Sequence, residues 1–153
     1  MRSVPAPAAF LAVLTLCVGA AAAETVYITQ LDGATAGTAS NGLGTATLIL
    51  NDEKTAVAYD VDFQDLSGVE TGAHFHYAEP GSPGPRLLTL NLGLPKIGVW
   101  ELDAFDLAQL EAGLVFVMIH SDVYPGGELR GNLTSGVVAS EAASWGGVKA
   151  LFR

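Results

Sequence analysis

The sequence predicts an all-β protein, an antiparallel β-sandwich with one short helix near residues 103–113. Short runs rich in Val, Ile, Leu, Thr and aromatic residues recur along the chain, each bounded by Gly, Pro, Asn or Asp. One of them, 57–63, alternates apolar and polar positions with period two. Helical periodicity is scarce, and many short strands punctuated by turns point to a sandwich or small barrel.

In chain order, residues 1–23 read as a secretory signal peptide. Arg2 supplies a positive start, 10–18 an apolar run too short for a permanent anchor, and Ala21-Ala22-Ala23 a small-residue cleavage site before Glu24. Cys17 raises a lipid-attachment alternative, but Leu16 precedes it where such a signal wants a small residue. Export would leave the chain secreted, periplasmic or at the cell surface, with no integral membrane segment after cleavage. The only cysteine leaves with the leader, so neither a disulfide nor a thiol nucleophile is expected. About 130 residues can bury one core without such a staple.

The chain carries 7 basic and 16 acidic residues. An acidic surface argues against nucleic acid or anionic membrane as a partner and is compatible with cations, metal ions included. Strands are expected at 26–31 and 45–50, joined by a long Gly/Ala/Thr/Ser turn over 32–44. The 51–54 reversal leads to the alternating strand, with Val57, Tyr59, Val61 and Phe63 on one face and Ala58, Asp60 and Asp62 on the other, where the two carboxylates are expected to be solvated. Further strands are expected at 73–77, 86–91, 114–120 and 128–134. Between them Asp103 can cap a short helix that Gly113 ends. One domain over 24–134 is expected. Residues 135–144 then read as a linker before a Trp/Lys/Arg patch at 145–153, either docked on the domain or serving as a sorting signal.

The chemistry concentrates at three histidines. His74 and His76 lie in AHFHYAEPGSPGP, and His120 precedes SDVYPGGELRGNL. On a strand, residues two apart share a face, so both imidazoles point one way and Phe75 the other, into the core. Two such rings can converge on a metal at about 2.0–2.1 Å per nitrogen if His120 joins from another strand. A three-imidazole set favours copper, with zinc as the alternative, and leaves a position open for water or substrate. If His120 pairs opposite Glu128, period two puts Arg130 on the same face, near enough to hold an anion or a supporting carboxylate. Leu129, Gly131 and Leu133 would then face the core. The alternatives are plain: hydrogen-bonded structural histidines, and a turn-stabilising ion-pair set of Arg130, Glu128 and Asp122. Asp122 or Glu79 could also support the metal ligands, and Asn132-Leu133-Thr134 is a formal glycosylation triplet. No phosphate-cradling loop, G-x-S-x-G elbow or glycosidase-like carboxylate pair is present.

These two histidine segments, in this order, with a leucine-rich strand and Trp100 between them, resemble the chordin-type (CHRD) domain from about Thr25 to Thr134. That family's segments have the form A-H-I-H-x-G leading to G-P, and Y-V-N-x-H-T followed by P-x-G-E-I-R-G-Q. Tyr77, Met118 and Ser121 depart from the pattern, while the histidines, the arginine and the Gly-Gly-Glu turn are kept. The resemblance implies a secreted all-β domain. Growth-factor binding belongs to the chordin context, which a single-domain chain supports little. The histidine set is also similar, more weakly, to the copper site of Cu,Zn superoxide dismutases, with Arg130 in the place of an anion-guiding arginine. Superoxide-dismutase-like and Ig-like Greek keys are therefore both open for the sandwich. The functional expectation is an exported domain that binds a transition metal without catalysis. The alternatives are a copper-only dismutase-like enzyme and a metal-free module for an extracellular protein or envelope component.

Overall fold

A computed structural model describes residues 25–137; the leader and the Trp/Lys/Arg patch lie outside the described residues. The strands are β1 (Thr25–Asp32), β2 (Leu43–Leu50), β3 (Ala56–Gln64), β4 (Glu70–Tyr77), β5 (Arg86–Leu90), β6 (Lys96–Glu101), β7 (Val115–Ser121), β8 (Leu129–Asn132) and β9 (Thr134–Val137). Two short helices, α1 (Gly33–Ala36) and α2 (Ala104–Glu111), complete the set. Among the described residues, no helix is long and apolar enough to cross a membrane.

The all-β, antiparallel expectation holds, but the layers are joined. One sheet runs β5-β4-β7-β8-β1-β2-β3-β6, with β9 also on β1. The join is made by the segment that follows the second histidine motif. β8 pairs with β7 from Asn132 to Leu129, and after Leu133 the chain pairs with β1 as β9. The backbone N–H of Leu133 still donates to Val115 on β7, so this residue is the pivot between the halves. Residues 135–137, expected as linker, are therefore strand. The sheet is nearly closed, barrel-like, and its two edge strands, β5 and β6, are consecutive in the chain and only five and six residues long.

The alternation read in 57–63 is realised. Val57, Tyr59 and Val61 are buried in the main core, while Ala58 packs with Val26 and Ile49 on the other face. Phe75 stacks on Trp100 at 5.5 Å and meets Tyr59 edge-on at 5.6 Å, so β4 is tied to β3 and β6 across the interior. α2 begins where expected: the Asp103 carboxylate accepts from the Asp106 N–H at 2.8 Å, and Leu110 is buried. Besides β9, two elements were not anticipated. α1 is a single turn capped by Asp32, and β6 is a strand despite Pro95 before it and Gly98 within it.

Candidate metal centre

β4 and β7 run antiparallel, with His74 opposite Met118, His76 opposite Phe116, and Gly72 opposite His120. All of these positions share the outer face, because Ala73, Phe75, Val117 and Ile119 point into the core. Gly72 leaves space at this point. A Cβ there would come within 3.1 Å of His74 Cε1, so the missing side chain leaves room for the His74 imidazole beside His120. The ring centroids lie 5.0 Å apart for His74 and His120, 5.4 Å for His74 and His76, and 6.3 Å for His76 and His120. One nitrogen from each ring lies within 4.8 Å of the others. Tetrahedral ligands on one zinc-sized ion sit about 3.3 Å apart, so a ring adjustment of order 1 Å closes the set.

The second nitrogens explain how the rings are aimed. The His76 Nδ1–H donates to the Gly84 carbonyl at 2.7 Å, and the His120 Nδ1–H donates to the Pro125 carbonyl at 3.0 Å. Each bond fixes the tautomer and leaves a lone pair on Nε2. The turn that follows each histidine motif is thus the part that orients its ring. Among the described residues four buried side-chain atoms lack a partner: Glu128 Oε2, which stands alone in its own cluster, and three ring nitrogens together here, His74 Nδ1, His76 Nε2 and His120 Nε2. Buried polar atoms are rarely left this way without a reason. Desolvation chiefly, then the charges of His120, His76 and Arg86, lower the His74 pKa to about 4. Desolvation also lowers His76, against the opposing effect of the Gly84 hydrogen bond. Both rings are neutral near pH 7, the form a metal requires.

The other expected residues do not join this cluster. Arg130 lies opposite Met118, on the anticipated face. Its guanidinium, however, lies 3.6 Å from the Phe116 ring centroid, while His76 stacks on that ring at 5.2 Å. Its N–H groups donate to Ser82 O at 2.8 Å and to Asn132 Oδ1. Arg130 therefore pins the 78–85 loop, two residues before the Gly84 carbonyl that holds His76. Glu128 is fully buried, and its Oε1 accepts from Ser40 Oγ at 2.6 Å and from the Ser67 N–H. The Glu128 N–H bonds Ile119 O at 2.7 Å, one step off the ladder that pairs Ile119 with Leu129. With Gly127 at φ 122°, that slip takes the carboxylate out of the anticipated phase. Asp122 accepts from the Val69 N–H at 2.8 Å and closes the start of β4. Among the described residues the ion pairs are Lys54–Glu111 and Lys96–Glu70, so the Arg130–Glu128–Asp122 set does not form.

Sequence reasoning missed Gly72, the Gly84 and Pro125 carbonyls, and Arg86. Arg86 Nη1 lies 3.3 Å from His74 Nε2, and the three histidines, Gly72, Arg86 and Pro125 line one cleft of about 290 Å³. The Pro/Gly turns were visible as signals; their carbonyl positions were not. A family model described as the CHRD domain matches residues 27–133. No curated protein and no solved structure matches the chain. The likeness to superoxide dismutases thus has no support from relatives.

Proposed function

The chain belongs to the CHRD domain family, and from that premise we propose that it binds one transition-metal ion outside the cytoplasm, through His74 Nδ1, His76 Nε2 and His120 Nε2. The observation that carries this reading is the set of three buried, unpartnered nitrogens gathered on one face, two of them with their tautomers fixed by backbone carbonyls. Imidazole-only ligation favours copper on affinity grounds, with zinc second. The role is metal binding or handling rather than turnover. The dismutase-like alternative assigned the drawing-in of an anion to Arg130; that side chain is instead tied beneath Phe116, so this residue lends the alternative no support. Secretion, or retention in the periplasm or at the cell surface, completes the proposal, resting on the leader at 1–23. N-terminal sequencing of the exported protein should begin at Glu24.

The test is metal analysis of the exported protein after copper loading and desalting. One copper per chain is expected, reduced to trace in His120→Ala and in His76→Phe. Copper retained equally by both variants would remove the site, and a metal-free interaction module would then be the better reading.

A further inference from the structure

We propose that Arg86 holds a small anion on the open side of the metal, making the centre a ternary site for the ion and an anionic ligand. This rests on the three-histidine metal reading and adds to it the class of ligand that fills the remaining position.

The argument starts in the backbone. In the pairing of β4 with β5, Phe75 faces Leu88 but His76 faces Arg86, so Leu87 is an extra residue on β5. Without the bulge, Leu87 would stand opposite His76 on the outer face. With it, Leu87 packs against the core and Arg86 takes the outward position beside the histidines. The irregularity thus places a cation where an apolar side chain would otherwise lie.

The surroundings then decide what that cation can do. The cleft is lined by Thr71, Gly72, the histidines, Arg86 and Pro125, and none of these is acidic. Among the described residues Arg86 forms no ion pair. In a chain with 16 acidic residues against 7 basic ones, an arginine without a carboxylate beside three imidazoles stands apart. Its contact with His74 is also conditional. A guanidinium only donates, so at 3.3 Å His74 Nε2 must accept, and the ring proton then sits on Nδ1. A metal on Nδ1 moves that proton to Nε2, which can no longer accept. Metal binding therefore releases the guanidinium, and its planar N–H groups suit a small inorganic anion or the carboxylate of a small acid.

The experiment uses the exported protein loaded with Cu(II) and azide as the anion, followed by the azide-to-copper charge-transfer absorption. Wild type, Arg86→Gln, Arg86→Lys and the distant control Lys54→Gln are titrated at fixed ionic strength. Arg86→Gln is expected to weaken azide binding by about tenfold or more, the size of a lost charge-assisted hydrogen bond. Arg86→Lys should recover part of that loss, Lys54→Gln should match wild type, and all four should carry the same copper. Equal azide affinity in wild type and Arg86→Gln, with copper bound in both, overturns this proposal and leaves the metal site standing. A wild-type protein that takes up no copper at the histidines overturns both.

Discussion

Two polar clusters are built into this sheet, and they are finished differently. Around Lys96 every demand is met. Its ammonium, 2 % exposed as a residue, reaches the Glu70 carboxylate and the carbonyls of Asn91 and Gly93, while Glu70 also accepts from the Gly93 N–H. Around His74, His76 and His120 the outward nitrogens are bonded and the inward ones are not. The first pattern is how a fold neutralises a buried charge, here to clamp the loop that links the two edge strands. The second is how a fold prepares ligands. The Lys96 cluster is complete in itself and holds structure together, whereas the three imidazoles gathered on one face are left incomplete toward a common point.

The comparison breaks first at Lys96. Glu70→Gln leaves a buried ammonium without its counter-charge and should lower unfolding free energy by about 3–5 kcal/mol. Urea denaturation checks this, and a loss below ~1 kcal/mol would mean the clamp is not structural. At the histidines the opposite is expected. His120→Ala should change metal-free stability by no more than about 1 kcal/mol, since loss of the Nδ1 bond to the Pro125 carbonyl is offset by removal of the unsatisfied Nε2. It should abolish the gain from metal, which for the wild type at a hundredfold excess over Kd is about 2.7 kcal/mol, or roughly 10 °C in Tm. Thermal scans with and without copper separate the two.

A smaller effect tests the loop that aims His76. Arg130→Met frees Ser82 and lets the Gly84 carbonyl drift, so copper affinity should fall about 10–100-fold, the usual cost of removing a ligand's support. Competition against a chelator of known affinity measures this, and unchanged affinity would show that the loop holds without Arg130. The last effect is pH dependence. His74 titrates near pH 4 in the folded chain and near 6.5 when unfolded. Below 6.5 the unfolded state therefore binds more protons, so metal-free stability declines between about pH 6.5 and 4 and this contribution levels off below. The slope in that window should shrink in His74→Gln; an unaltered slope would assign it elsewhere.

How much of this could be read from the chain differs between fold and site. Residues 57–63 declared a strand because alternation is a local property, and Asp103 and Gly113 marked a helix by their own chemistry. β6 stayed hidden because Pro95 and Gly98 are breakers in isolation, and only pairing with β3 makes the segment a strand. The choice between the sandwich and the small barrel that the strand pattern left open was out of reach, since it depends on β9 meeting β1 more than a hundred residues away. At the site, period two was enough to align His74 with His76. The same rule put Arg130 on the correct face yet missed that the Phe116 ring intervenes. It failed for Glu128, because a slip of one residue at Gly127 reverses the phase. Arg86 was illegible for that reason too: its position depends on the bulge at Leu87.

The most direct test of the account is anomalous diffraction at the copper edge from crystals of the copper-loaded protein. A single strong peak is expected, about 2.0–2.1 Å from His74 Nδ1, His76 Nε2 and His120 Nε2. A peak bound elsewhere, or rings that keep their nitrogens apart with no metal between them, would contradict it.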